Sequence, residues 1–126
     1  MNLIHVALTC SSEEKADTFY LNLLGLKKSA PKTLAAEISE AIFGIRTELT
    51  IINYVGESAH FEIFISRRRQ EDVRPIEHVC LEVNDLSEFL QKCNRLKVAV
   101  IQVPKGGSLI TFIKDFDGNL FEIKGK

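Results

Sequence analysis

The chain is short of the features that most readily announce a function. It has three cysteines, an odd count for a disulfide framework, and their spacing suits no zinc knuckle. Reduced thiols in the cytoplasm are the reading this supports. It has no surplus of charge: 16 Lys and Arg stand against 17 Asp and Glu, a formal net charge of −1. A dedicated nucleic-acid binder would show a basic excess, so that class is set aside. No apolar run approaches the ~20 residues that span a bilayer, so no membrane role is expected. The opening residues, Met1-Asn2-Leu3-Ile4-His5, enter an alternating pattern at once and do not read as a signal peptide. There is no phosphate-cradling glycine loop and no serine nucleophile elbow. What is left, 126 residues with 45% hydrophobic and 26% charged, is an ordinary globular composition of single-domain size.

What the chain does have is an internal echo. Leu3-Ile4-His5-Val6-Ala7-Leu8-Thr9 resembles Ile76-Glu77-His78-Val79-Cys80-Leu81-Glu82, and Phe61-Glu62-Ile63 resembles Phe121-Glu122-Ile123. The two offsets differ, so this is a diverged duplication with unequal loops. Each half reads as a strand, a helix and about three further strands. The first helix is expected from Ser11 or Ser12, with Ser11 and Glu14 as a capping box. Ala16, Phe19, Tyr20, Leu23 and Leu24 form its apolar face, and Gly25 stops it. The second is expected from Asp85 to about Leu96, with Leu86, Phe89, Leu90 and Cys93 inward. Later strands are expected at 34–39, 49–55 and 60–66, then at 98–103, 109–114 and 120–124. The stretch 35–41 is also compatible with a helical turn. Lys105-Gly106-Gly107 and Asp117-Gly118 mark hairpins. Residues 67–75, basic and closed by Pro75, read as a linker. The expected modules are therefore about 1–66 and 76–126. Neither is large enough to be comfortably stable alone, so the pair is read as one domain.

Strand alternation then sorts the side chains. Ile4, Val6 and Leu8 share one face, with His5 opposite. Val79, Leu81 and Val83 share one face, with His78 opposite. Glu62 lies opposite Phe61 and Ile63, and Glu122 opposite Phe121 and Ile123. Two imidazoles and two carboxylates on rigid strands suit a divalent first-row ion with positions left open for substrate oxygens. A lone strand His or Glu is ordinarily structural or solvated; recurrence of both in matching contexts is what raises them to a candidate site.

The sequence resembles the vicinal oxygen chelate superfamily, and within it glyoxalase I. The resemblance rests on Ile4-His5-Val6-Ala7-Leu8, Phe19-Tyr20 with Leu24-Gly25-Leu26, Glu62, Ile76-Glu77-His78-Val79, and the run from Phe112 to Glu122 with its D-x-D-G-N turn. It implies an α+β fold of paired βαβββ modules, forming a curved, barrel-like mixed sheet with helices outside. It implies a cytoplasmic homodimer with one divalent ion per site, Ni, Co or Zn, held by His5, Glu62, His78 and Glu122. It also implies a metal-dependent isomerisation: the hemithioacetal of an α-ketoaldehyde and a thiol becomes a hydroxyacyl thioester. Glu122 is then the base and Glu62 its partner, with no redox cofactor. The resemblance places Thr9, Ser66 and Arg74 at substrate-contact positions.

The family's thiol contacts match less well. Thr9 stands where glyoxalase I commonly has Arg, and Ser66 where it commonly has Asn. Losing a guanidinium removes a charge-assisted contact, so either another base substitutes or the thiol is not glutathione. The alternatives are a small-molecule or antibiotic-binding protein without turnover, or another superfamily enzyme such as an epimerase or dioxygenase. Arg67, Arg68 and Arg69 read as a solvated run. His60 shares the face of Glu62 and reads as an exposed or structural His. Cys80 lies on the His78 face and reads as a buried, inert thiol, and Cys93 as helix core.

Overall fold

The computed structural model describes residues 3–67 and 78–126. The chain divides into two compact units, Met1–Arg68 and Arg69–Lys126. Both are mixed α+β. No helix among the described residues is long and apolar enough to cross a membrane.

The first unit holds β1 (Val6–Cys10), α1 (Glu13–Ala16), a π-helical continuation (Asp17–Leu23), β2 (Lys27–Lys28), β3 (Lys32–Leu34), α2 (Ala36–Phe43), β4 (Leu49–Val55) and β5 (His60–Ile65). The sheet order is β1-β5-β4-β2, with β3 also on β4. β1 runs parallel to β5, and β4 antiparallel to it. The first helix starts one residue later than the expected box. Ser12 is its cap and accepts from the Lys15 amide, while the Ser11 hydroxyl accepts from the Lys15 ammonium. Its second half widens: the Leu24 amide donates to the Phe19 carbonyl five residues back. This turn buries Phe19, Tyr20 and Leu23 against the sheet. Tyr20 lies 5.4 Å from Tyr54 and 5.5 Å from Phe61, ring to ring. The Tyr54 hydroxyl donates to Asp17 at 2.7 Å, and Lys28 bridges Asp17 and Glu13.

The strand expected at 34–39 is a correction. A short strand ends at Leu34, and Ala36–Phe43 is helical. Ala36, Glu37, Glu40 and Ala41 are good helix formers, and their propensity outweighs the local apolar spacing. Gly44 closes this helix in the left-handed conformation, φ +68°. Phe43 then packs edge-on against Phe64 of β5 at 5.4 Å. Ile4 was expected on the core face, but β1 begins only at Val6 and Ile4 is 72% exposed.

The second unit holds β6 (Val79–Val83), α3 (Leu86–Arg95), β7 (Ala99–Lys105), β8 (Ser108–Lys114) and β9 (Leu120–Gly125). Its order is β6-β9-β8-β7, with β6 parallel to β9 and the rest antiparallel. The Asp85 carboxylate caps α3 by accepting from the Glu88 amide at 2.9 Å. Cys93 is fully buried, as expected, and burial pushes its thiol pKa up. The expected linker, 67–75, lies outside the described residues except for Arg67, as do Ile76 and Glu77.

Candidate metal centre

Each unit places one imidazole beside one carboxylate by the same device. His5 immediately precedes β1 and His78 immediately precedes β6. In the first unit Ala7, two residues after His5, registers with Glu62 on the parallel neighbour. In the second, Cys80, two residues after His78, registers with Glu122. Side chains two apart on a strand share a face, so each pairing sets His beside Glu.

The resulting distances match. His5 Nε2 lies 3.9 Å from Glu62 Oε1, and His78 Nε2 lies 3.6 Å from Glu122 Oε2. Both imidazoles are 37% exposed, while the carboxylates are more enclosed, at 24% and 19%. Neither separation is a hydrogen bond. Two donors each ~2.1 Å from a common ion lie about 3.0–3.4 Å apart, so each pair needs to close by only about half an ångström to share one. The chemistry also fits: neutral imidazole nitrogen and carboxylate oxygen suit a divalent first-row ion. Among the described residues no three His, Cys, Asp or Glu side chains group to hold a metal by themselves, so the donors come as pairs.

The surroundings differ between units. Asn53 on β4 registers with Glu62, and its carbonyl accepts from His60 Nε2 at 2.6 Å. The His60 ring lies 5.3 Å from that of His5, tilted 60°. His60 is thus half-buried and hydrogen-bonded rather than simply solvated. In the second unit Phe112 on β8 registers with Glu122, and its ring meets His78 edge-on at 5.4 Å. Lys124 Nζ lies 3.6 Å from Glu122 Oε1. Cys80 is a correction, since it is exposed rather than buried. Partial desolvation on the sheet face raises its pKa, and the charge of Glu122 beside it raises it further.

The turn that delivers Glu122 was legible in sequence. Asp115 is buried, and its Oδ1 accepts from the amides of Asp117 and Asn119 at 3.0 and 2.9 Å. Its Oδ2 accepts from Asn119 Nδ2 at 2.6 Å, and Gly118 takes φ +86°. The carboxylate thereby satisfies the backbone donors of a turn that aims β9 back along β8.

Of the expected substrate contacts, Thr9 is half-buried on β1 in register with Phe64, two residues along the face from Ala7. Ser66 lies one residue beyond β5, where its amide donates to the Cys10 carbonyl at 2.9 Å. Arg74 lies outside the described residues.

The sequence profile of the Glyoxalase/Bleomycin resistance protein/Dioxygenase superfamily matches residues 2–123. The chain belongs to this superfamily. Solved structures of the same fold include a glyoxalase family protein from Enterococcus faecalis, 20% identical over 97% of this chain and 95% of that one, with a TM-score of 0.73. A glyoxalase family protein from Bacillus cereus is 16% identical over 99% of this chain and 93% of that one, with a TM-score of 0.75. A variant of the fosfomycin resistance protein FosX from Listeria monocytogenes, complexed with Mn(II) and 1S,2S-dihydroxypropylphosphonic acid, is 18% identical over 98% and 90%, with a TM-score of 0.73. No curated protein matches the chain. Superfamily membership and the two mixed sheets agree with the α+β expectation; these remote similarities carry the fold and leave the reaction open.

Proposed function

We propose that His5, Glu62, His78 and Glu122 hold one divalent ion, Ni, Co or Zn, and that the chain is a glyoxalase-I-like isomerase of α-ketoaldehyde–thiol hemithioacetals. The observation that carries this reading is the repeated His–Glu pair, 3.9 Å in one unit and 3.6 Å in the other, built by the same parallel register. A bound ion supplies Lewis acidity to two vicinal substrate oxygens. Glu122 takes the proton from the carbon bearing the hydroxyl and the thioether sulfur and returns it to the adjacent carbon, with Glu62 as its partner. The proton returns to the substrate, so no redox cofactor is needed. Thr9, Ser66 and Arg74 contact the substrate, and the functional form is a cytoplasmic homodimer.

The test is metal analysis followed by turnover. Protein loaded with Ni, Co or Zn should bind the ion stoichiometrically and convert methylglyoxal with at least one thiol from a panel that includes glutathione. Absence of stoichiometric metal would overturn the reading. Thr9 and Ser66, in place of Arg and Asn, favour a second reading in which a small molecule is bound without turnover. Metal-independent retention of ligand by a His5→Ala, Glu122→Gln variant would select it. Turnover of fosfomycin by the loaded protein would instead select chemistry of the FosX kind.

A further inference from the structure

The two units solve one problem differently, and the difference assigns a role to His60. Each His of the candidate centre sits just outside its strand, so the ladder does not fix its ring. In the second unit a single side chain steadies it. Phe112, the antiparallel register partner of Glu122, reaches His78 directly at 5.4 Å. The same register position in the first unit, opposite Glu62, is Asn53. Asn53 is shorter and carries no ring. It instead holds His60 by the 2.6 Å hydrogen bond, and His60 presents its ring to His5 at 5.3 Å. The residue equivalent to His60, two before the carboxylate, is Leu120 in the second unit.

We infer that Asn53 and His60 together are a positioning pair for His5, performing with two residues what Phe112 performs alone for His78. Nε2 of His60 donates to Asn53, so that nitrogen is not a metal donor. The consequence for metal binding rests on the four-donor reading above; the bracing of His5 does not.

The experiment uses the full chain in two states. In the metal-free protein, NMR should show His60 as the Nε2–H tautomer, with ring-to-ring NOEs between His5 and His60. His60→Ala and Asn53→Ala should each average the His5 side chain over rotamers. With Co(II), His60→Ala should weaken binding by about 10–100-fold and shift the visible ligand-field bands. Asn53→Ala should weaken it in the same direction, and the Asn53→Ala, His60→Ala double variant should lose no more than His60→Ala alone. The decisive variant transplants the other unit's solution: Asn53→Phe with His60→Leu should restore His5 order and bring Co(II) affinity back to within about threefold of wild type. Circular dichroism and Tm confirm that each variant is folded.

Unchanged His5 order in folded His60→Ala would overturn the inference. So would a folded transplant variant that fails to restore what His60→Ala loses, because His60 would then act through its nitrogens, as a ligand. Should wild type bind no Co(II), the four-donor reading fails and the metal-free NMR comparison still decides whether His60 braces His5.

Discussion

Ser39 should be replaceable by alanine with a gain in stability. It sits in the middle of α2, on the face that carries Phe43 four residues on, and is 0% exposed. Its hydroxyl has no hydrogen-bond partner among the described residues. A buried hydroxyl left unpaired costs about 1–3 kcal/mol relative to its hydrated state in the unfolded chain. Alanine is the better helix former by about 0.5 kcal/mol. Against these stands the loss of one buried atom's dispersion contacts, about 0.5 kcal/mol. The helix and dispersion terms cancel, so the net expectation for Ser39→Ala is a stabilisation of about 1–3 kcal/mol. At roughly 2.1 cal/mol/K of unfolding entropy per residue, that raises Tm by about 4–11 °C for a chain of this length.

Calorimetry and urea unfolding read the effect, with the m-value reporting any change in the unfolded state. Ser39→Cys is the companion variant. Its thiol is a weak donor and nearly fills the same space, so it should fall between serine and alanine. A lower Tm for Ser39→Ala at unchanged m would refute the reasoning, because it would mean that the hydroxyl is bonded in solution and that its bond outweighs the helix preference.

Three further outcomes follow from the contacts described. Burial and then the hydrogen bond to Asp17 push the Tyr54 phenol above its ordinary 10.0, while Asp17 and then Glu13 hold the Lys28 ammonium above 10.5. The folded chain therefore keeps protons that the unfolded chain releases, so this stability is present below about pH 10 and is lost as pH rises through the folded values. Tyr54→Phe should cost about 1.5–3 kcal/mol at neutral pH and flatten the fall in urea midpoint above about pH 10; an equally steep fall counts against the assignment. Asp115→Ala removes the acceptor for three donors in the turn before β9 and should cost about 2–3 kcal/mol, with weaker Co(II) binding than wild type in the folded fraction. Glu122→Gln, if Glu122 is the base, should lower kcat by at least ~100-fold while metal is still bound; Glu62→Gln should lower it less, and the reverse ranking would exchange their roles.

Much of this was readable in the sequence because it is local. Two-residue alternation put His5, Glu62, His78 and Glu122 opposite the apolar side chains, and the bounds of β4, Leu49–Val55, coincide with those expected. The D-x-D-G-N run announced its turn because Asp115 reaches donors only two and four residues away. What escaped was decided by distant partners. Parallel pairing of β1 with β5 joins segments some fifty residues apart, and nothing within either segment specifies it. Asn53 drew no notice because its role exists only once β4 lies beside β5 and His60 comes within reach. Leu34, Ala36 and Ile38 alternate as a strand would, which favours a strand over the helical turn also compatible with 35–41; the packing of Phe43 on Phe64 that accompanies the helix joins residues distant in sequence. The widened turn at Asp17–Leu23 carries no local sign, since its apolar residues fit an ordinary helix equally well.

The duplication also explains why the two carboxylates, alike in register, need not be alike in use. Among the described residues Glu62 has one ion-pair partner, His5, whereas Glu122 has two that divide its oxygens: Oε2 faces His78 and Oε1 faces Lys124. The second Glu122 oxygen thus faces an ammonium rather than an imidazole, and a pair this exposed holds the carboxylate only loosely. On the proposed reading Oε2 is the oxygen turned toward the ion, and Lys124 must swing off Oε1 before that oxygen can take a substrate proton. Glu62 has no such cation beside it among the described residues. The sheet register fixes where the two groups stand; the side chain two residues along the strand, Lys124 in one unit and Phe64 in the other, makes their surroundings differ.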